Sequence, residues 1–200
     1  YQSDFGQESC LISPPGTFVP DLAYSVPVSC QSGYFNPNYG SSTNDCEAAE
    51  PGHYSTEASP NQNPCPQGTF QPMPAQSECL PSNPGNYTPD QILILKCNPG
   101  TFQPEERATE CKEADPGYYV RLSGQSSPIP CPAGTYSNIF GSNSETDCLV
   151  TPPGYFSLEG SPQITACNPG SYQHNFSSEG CELANAGHFV IGFASDHQTP

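Results

Sequence analysis

The chain has 200 residues, of which 11 are Cys, 25 are Pro and 18 are Gly, and only 34% are hydrophobic. Because an average domain is close to half apolar, this composition excludes one large hydrophobic core. Twenty acidic residues against four basic ones give a formal net charge of −16, which excludes nucleic acid as a partner, since phosphate backbones require clustered Lys and Arg.

A Gly-x-aromatic triplet recurs 11 times along the chain, at intervals of 15 to 20 residues. Each triplet is predicted to begin in a turn. Pro precedes most of the glycines, and Pro-Gly is typical of a type II turn in which Gly supplies the positive φ. The triplets are Gly16-Thr17-Phe18, Gly33-Tyr34-Phe35, Gly52-His53-Tyr54, Gly68-Thr69-Phe70, Gly85-Asn86-Tyr87, Gly100-Thr101-Phe102, Gly117-Tyr118-Tyr119, Gly134-Thr135-Tyr136, Gly154-Tyr155-Phe156, Gly170-Ser171-Tyr172 and Gly187-His188-Phe189.

The cysteines form two classes relative to these glycines. Opening cysteines stand three residues before a glycine, and closing cysteines stand six before one. Two half-repeats therefore make one repeat of 32 to 36 residues between opening cysteines. This predicts a partial repeat at 1–29 and repeats at 30–64, 65–96, 97–130, 131–166 and 167–200. The opening cysteines are Cys30, Cys65, Cys97, Cys131 and Cys167, and the closing ones are Cys10, Cys46, Cys79, Cys111, Cys148 and Cys181.

The predicted fold class is a series of small disulfide-rich tandem repeats that form an elongated rod of short β-strands and turns, with almost no helix. Half-repeats without an opening Cys carry a small residue at the same position, so both halves are expected to share one backbone conformation. The triplet aromatics are expected to point inward and cover a disulfide or a neighbouring ring. Regular strands are predicted at Ile92–Leu95 and Phe189–Ile191, where aliphatic residues are consecutive.

Two disulfide frames are compatible with the spacing. The first pairs each opening Cys with the next closing one, and the second pairs each closing Cys with the next opening one, beginning with Cys10–Cys30 and Cys46–Cys65. We favour the first, because it encloses the triplet in the shorter loop, and closing about 15 residues stabilises by ~3 kcal/mol in the chain-entropy model. Its pairs are Cys30–Cys46, Cys65–Cys79, Cys97–Cys111, Cys131–Cys148 and Cys167–Cys181.

The first frame leaves Cys10 without a partner. Tyr1 stands where a triplet aromatic belongs, and Gly187 is followed by 13 residues without a Cys. The sequence therefore predicts that these 200 residues are cut through a repeat at both ends of a longer array.

The elements Cys65-Pro66-Gln67-Gly68-Thr69-Phe70 and Cys131-Pro132-Ala133-Gly134-Thr135-Tyr136 resemble the ephrin-receptor-like cysteine-rich repeat. They are also similar to the simplest module of tumour-necrosis-factor-receptor domains. The resemblance covers the chain in register but departs from those families in lacking a Cys-x-x-Cys between modules. It implies an extracellular, elongated, disulfide-linked module of receptors, adhesion proteins or surface proteins, and it implies no chemistry.

No catalytic, cofactor-binding or metal-binding residue is predicted. Zinc sites need ligands separated by two to four residues, whereas the closest cysteines are 14 positions apart. The acidic residues before closing cysteines suggest calcium binding, but no half-repeat contains the several oxygen ligands that calcium requires. Two sequons predict N-glycosylation, at Asn86 and at Asn175.

The sequence thus predicts an extracellular or cell-surface glycoprotein that is not an enzyme and needs no cofactor. The leading hypothesis is a structural subunit of an extracellular filament, sheath or appendage that associates with neighbouring chains. The alternative is a cysteine-rich stalk of a receptor or adhesion protein that binds another extracellular protein. No membrane span is predicted in this segment, because its longest aliphatic run, Ile92–Leu95, is far shorter than the ~20 residues that a spanning helix needs.

Overall fold

The computed structural model describes residues 1–3, 9–21 and 24–200. Within this part of the chain lie 20 two-residue strands, paired as ten antiparallel hairpins, and one short 3-10 helix, η1, at Glu145–Asp147. The predicted class of small disulfide-rich repeats is confirmed. The strands are β1 Thr17–Phe18, β2 Val28–Ser29, β3 Tyr34–Phe35, β4 Glu47–Ala48, β5 His53–Tyr54, β6 Asn63–Pro64, β7 Thr69–Phe70, β8 Leu80–Pro81, β9 Asn86–Tyr87, β10 Leu95–Lys96, β11 Thr101–Phe102, β12 Lys112–Glu113, β13 Tyr118–Tyr119, β14 Ile129–Pro130, β15 Thr135–Tyr136, β16 Leu149–Val150, β17 Tyr155–Phe156, β18 Thr165–Ala166, β19 Ser171–Tyr172 and β20 Glu182–Leu183.

Every hairpin is built from the last two residues of a triplet. These residues pair with the two that precede the next opening Cys or its small counterpart, as in Thr17 opposite Ser29 and Phe18 opposite Val28. The same register recurs between β11 and β12. The strands stay short because Pro and Gly flank them and Pro cannot donate to a ladder.

The strands predicted from aliphatic runs were wrong. Only Leu95 of the first run lies in a strand, because the Asp90 carboxylate accepts hydrogen bonds from the N–H groups of Ile92 and Leu93 and holds the segment in a turn. In the second run, Phe189 forms only an isolated bridge with Thr199. The pairing partner, and not the aliphatic content, decides where strands form.

The predicted type II turns are confirmed. All triplet glycines have φ between +76° and +90°. In ten triplets the residue after the glycine donates its N–H to the carbonyl three residues earlier, as Thr17 does to Pro14 and Thr135 to Pro132.

The shared backbone conformation of the two half-repeat types is also confirmed. The residue three before each triplet glycine donates its N–H to the carbonyl of the preceding triplet glycine, at 2.8–3.1 Å in all ten cases. Cys97 and Ala114, one from each type, both do so and both are fully buried. Sulfur and a small side chain therefore occupy equivalent places.

The expected cover of a disulfide or a neighbouring ring by each triplet aromatic stays a prediction. The rings of these aromatics are half-buried, apart from Tyr119, which is buried, and Phe189, which is exposed. The core instead consists of the opening Cys or its small counterpart, the triplet glycine, and the residue three after that glycine, which we call the brace position. Brace residues are mostly polar and buried, as in Asn36, Ser55, Gln71, Ser137 and Ser157.

Each half-repeat from that of Gly33 onward has a second residue with positive φ, six or seven residues after the triplet glycine. We call it the left-handed position. Four of these residues are glycines, and the other six have φ between +55° and +63°. They are Gly40, Ala58, Ala75, Gln91, Arg107, Gly124, Gly141, Gly160, Ser177 and Ala194.

The chain divides into two compact units. The first comprises Tyr1–Asn83, Tyr87–Leu95 and Glu106–Glu110, and the second comprises Pro84–Asn86, Lys96–Glu105 and Cys111–Pro200. Each contains both types of half-repeat. The repeat boundaries at residues 30, 65, 97, 131 and 167 stay predictions.

Candidate functional site

Five disulfide bonds cross-link the chain, and each of them encloses one triplet. They join each opening Cys to the next closing one, as in the first of the two frames, with Cα atoms 5.7–5.8 Å apart and sequence separations of 14 to 17. Cys10 is exposed and has no partner. The opening cysteines are at most 2% exposed, whereas the closing cysteines bonded to them are half-buried.

The brace residues fit the length of the disulfide loop. In the three loops of separation 14 the brace is Gln71, Gln103 or Gln173. The amide nitrogen of Gln71 donates to the carbonyl of Glu78 at 2.9 Å, and its amide oxygen accepts from the N–H of Met73 at 3.2 Å. Gln173 makes the equivalent pair of bonds within its own loop. In the longer loops the brace is Asn36 or Ser137, so a shorter side chain goes with a longer loop.

Successive half-repeats are joined through backbone groups. In nine cases the N–H of a triplet glycine donates to the brace carbonyl of the next half-repeat, at 2.7–2.9 Å. In nine cases the N–H at a left-handed position donates to the carbonyl three residues before the triplet glycine of the preceding half-repeat, at 2.8–3.0 Å. Because these bonds use backbone atoms, the outward side chains do not determine them.

Triplet glycines are also covered by the half-repeat two further along the chain. A Cβ built on Gly117 would lie 2.2 Å from the carbonyl oxygen of Gly160, and one on Gly134 would lie 2.1 Å from that of Ser177. No atom lies within 4 Å of a Cβ built on Gly170 or Gly187. At the covered positions, glycine is therefore required both by the positive φ and by the close approach of another backbone. At Gly170 and Gly187 only the positive φ requires it.

The two sequons lie in different surroundings. Asn86 is half-buried in β9, and its amide donates to the carbonyl of Pro84 at 3.2 Å. The sequon threonine, Thr88, occupies a brace position and is 2% exposed. Asn175 and Ser177 are both exposed. Glycosylation of Asn86 and Asn175 stays a prediction.

Two of the acidic residues that precede closing cysteines have local structural roles. Asp147 accepts hydrogen bonds from the N–H groups of Asn143 and Ser144 and caps η1. Asp45 accepts from the hydroxyl of Thr43. Among the described residues, no group of three or more His, Cys, Asp or Glu side chains is placed to hold a metal ion.

Three titratable groups have a shifted pKa, and each shift has a local cause. Hydrogen bonds from the N–H groups of Leu93 and Ile92 lower the pKa of Asp90. A hydrogen bond from His197 lowers the pKa of Asp196. Desolvation and the nearby charge of Glu182 raise the pKa of Tyr172. These groups lie in separate half-repeats and do not form a common site.

Large apolar side chains lie mainly on the surface. Within the described residues, 24 large hydrophobic side chains are exposed, whereas the large ones that are buried are Tyr119, Val120 and Val190. Leu183 and Ile191 are 80% and 81% exposed. Within the described ranges, no helix is long and apolar enough to cross a membrane.

Sequence reasoning missed the brace position and the left-handed position. Signals for both are present in the sequence. Gln at the brace accompanies each spacing of 11 residues from triplet glycine to closing Cys, and glycine recurs six or seven residues after a triplet at Gly40, Gly124, Gly141 and Gly160.

Comparison with known proteins gives a partial match to an animal protein. The chain is 33% identical over 89 residues to the signal peptide, CUB and EGF-like domain-containing protein 2 of Mus musculus, an alignment that covers 42% of this chain and 9% of that protein. No known family model matches the chain. The match and the five disulfides support a cysteine-rich extracellular repeat, while the resemblance to ephrin-receptor-like and tumour-necrosis-factor-receptor-like repeats stays a prediction.

Proposed function

We propose that the chain is a structural module of an extracellular filament, sheath or surface appendage, in which neighbouring chains associate side by side. The observation that carries the proposal is the distribution of apolar side chains: three large ones are buried and 24 are exposed among the described residues. Contiguous exposed apolar surface is typical of interaction sites, and the consecutive side chains of Ile92, Leu93, Ile94 and Leu95 are all exposed. Self-association would cover it.

The way the half-repeats are joined supports a structural role. Within each compact unit, backbone hydrogen bonds join successive half-repeats, and most triplet glycines also contact the half-repeat after the next. Stability of this kind is the sum of many similar neighbour contacts. Residues on the surface can then vary without loss of the fold, as a lateral contact surface requires.

The extracellular location is supported by the five disulfides, since such bonds persist in oxidising compartments. It is also supported by the partial match to a murine protein whose name includes a signal peptide. Sugars at the two sequons are part of the proposal, and neither enzymatic activity nor a cofactor is.

The net charge of −16 predicts how association depends on salt. Like charges on neighbouring copies repel one another, and at about 0.15 M salt this repulsion is screened beyond roughly 8 Å. Association is therefore expected to strengthen as ionic strength rises.

The alternative is a cysteine-rich stalk of a cell-surface receptor or adhesion protein that binds a protein ligand. The partial match supports this alternative, because the murine relative is a much longer protein that carries other domain types in its name. In that case the exposed apolar side chains would contact a different protein.

Electron microscopy of the native material, kept oxidised, tests the proposal. Regular filaments with an axial repeat that matches a set of these modules support it. Separate particles attached to membranes contradict it and support the receptor stalk.

A variant can test whether the exposed apolar surface drives association. Replacing Leu183, which is 80% exposed, with Glu is expected to weaken self-association in sedimentation experiments. Ser126→Glu, at another exposed position, adds the same charge without removing an apolar side chain and serves as the matched control. Equal association of the two variants would contradict a role for Leu183.

A further inference from the structure

Thr88 carries a polar group that the folded structure does not use. Among the described residues, the hydroxyl oxygen Oγ1 of Thr88 is the one buried side-chain oxygen or nitrogen atom that has no hydrogen-bond partner. The residue as a whole is 2% exposed. A buried hydroxyl without a partner lowers stability relative to an apolar group of the same shape. Its presence in the core therefore needs a reason other than folding.

Other half-repeats show what the brace position normally contains. Some hold side chains whose polar atoms are paired, as when Ser55 donates to the carbonyl of Tyr34 at 3.1 Å and Ser157 to that of Thr135 at 3.0 Å. Others hold valine, which is nearly isosteric with threonine and has no hydroxyl, at Val19, Val120 and Val190. Valine in place of Thr88 would satisfy the fold, so packing alone does not account for the hydroxyl.

We propose that the Thr88 hydroxyl serves N-glycosylation of Asn86 and acts before this half-repeat folds. Thr88 completes the sequon Asn86-Tyr87-Thr88, in which the hydroxyl is the group that a glycosyltransferase recognises. Once the hairpin of β9 and β10 has formed, a residue that is 2% exposed is out of an enzyme's reach. The proposal rests on the extracellular location proposed above, because the transferase acts in the secretory pathway.

The reaction needs an oligosaccharide donor activated as a glycosyl diphosphate. The Asn86 amide nitrogen Nδ2 forms a bond to the anomeric carbon of the donor sugar, and the bond from that carbon to the diphosphate oxygen breaks. The diphosphate leaves with the electron pair, and the amide proton passes to a base. One N–H remains on Nδ2, so its hydrogen bond to the carbonyl of Pro84 is compatible with the product.

The second sequon provides an internal comparison. Asn175 and Ser177 are exposed in the folded chain, so this sequon is expected to accept sugar both before and after folding. Asn86 is expected to accept sugar only before folding.

The first experiment measures site occupancy in protein secreted from animal cells, by mass spectrometry after enzymatic release of the sugars in H₂¹⁸O. We expect Asn86 to be occupied in the wild type, empty in Thr88→Val and occupied in Thr88→Ser, with Asn175 unchanged in all three. An empty Asn86 in wild-type protein whose five disulfides have formed would overturn the proposal. Failure of the native protein to be secreted with these disulfides is a separate result that would overturn the extracellular assignment.

The second experiment tests the order of events. Wild-type protein is produced with glycosylation inhibited, and is then offered purified oligosaccharyltransferase and its donor, either folded or after reduction and unfolding. We expect the folded protein to be modified at Asn175 alone and the unfolded protein at both sites. Equal rates at Asn86 in both states would overturn the proposal.

The third experiment asks whether the hydroxyl has a structural role. In protein produced with glycosylation inhibited, so that residue 86 stays Asn in both, Thr88→Val is expected to melt at a higher temperature than the wild type, because it lacks the unpaired buried hydroxyl. A lower melting temperature for Thr88→Val would show that the fold needs this hydroxyl and would overturn the proposal.

Discussion

The half-repeat of Gly134 contains a disulfide and the half-repeat of Gly117 does not, yet their backbones are joined to their neighbours in the same way. The N–H of Gly134 donates to the carbonyl of Ser157 at 2.8 Å, and that of Gly117 to the carbonyl of Ser137 at 2.7 Å. Thr151 and Cys131 donate in turn to the carbonyls of the two glycines. The backbone hydrogen bonds and glycine turns therefore define this conformation without sulfur, and the disulfide adds stability to a structure that both types already share.

Removing one disulfide should give the largest loss of unfolding free energy among the predicted changes. Replacing Cys65 and Cys79 with Ala converts a bridged half-repeat into one that resembles its unbridged neighbours. In the chain-entropy model, losing a loop of this size costs about 3 kcal/mol of unfolding free energy. Hydrogen exchange is expected to show faster opening of this half-repeat, with its backbone hydrogen bonds retained in the folded state. Cys10→Ala, at an exposed free cysteine, is the control, and equal exchange in the two proteins would contradict the prediction.

Two unbridged half-repeats separate the roles of the triplet glycine. Gly117→Ala introduces a Cβ 2.2 Å from the carbonyl oxygen of Gly160, whereas Gly187→Ala has similar positive φ and no atom within 4 Å. Left-handed φ alone costs about 1 kcal/mol or more, and forced contact adds about 1–3 kcal/mol. We expect Gly117→Ala to be less stable than Gly187→Ala by about 2 kcal/mol in denaturant unfolding. Equal losses would show that the close approach does not matter.

Adding a disulfide to an unbridged half-repeat would test whether the two types of half-repeat share one backbone conformation. The closing Cys lies three residues before the next opening Cys or its counterpart, so the corresponding pair in the Gly117 half-repeat is Ala114 and Pro128. Ala114→Cys with Pro128→Cys is expected to form a sixth disulfide and raise the unfolding free energy by about 1–2 kcal/mol, less than the model value because engineered bonds often distort their surroundings. Thiol titration and the melting temperature, each compared with the reduced variant, measure the result. A variant that keeps two free thiols under oxidising conditions would contradict a shared conformation.

The smallest predicted effect concerns pH and the turn at Asp90. Since the pKa of Asp90 is lowered in the folded state, its stabilising contribution is present above the ordinary value of 3.8 and is lost as the pH falls through the lowered pKa. The melting temperature of Asp90→Ala should therefore lie below that of the wild type at about pH 6, and the difference should shrink below about pH 3. Asp90→Asn keeps an acceptor oxygen without the charge, so its difference from Asp90→Ala should not change over this range. A constant gap between the wild type and Asp90→Ala would contradict the prediction.

Much of the local structure could be predicted from the sequence. The triplet glycines and their prolines indicated the turns, and the fixed offsets of the cysteines reduced the disulfide pairings to two frames. These features depend on a few neighbouring residues, because a type II turn needs positive φ at one position.

The packing could not be predicted in the same way. Asn36 and Ser55 were not expected in the core, yet both are fully buried. Polar residues can be buried here because their side chains pair with backbone carbonyls in adjacent half-repeats, as Ser55 does with Tyr34. These two partners are 21 residues apart in sequence, so composition gives no indication of the pairing.

The sequence by itself determined the repeat, its turns and the positions of its cysteines, because each follows from the conformational limits of Gly and Pro and from regular spacing. Only the tertiary structure decided which side chains form the core, which glycines are covered by a carbonyl, and which hydroxyl is buried without a partner. Those features depend on how one half-repeat lies against the next two. The contact of Gly117 with Gly160 and the unpaired hydroxyl of Thr88 exist only once the half-repeats are stacked.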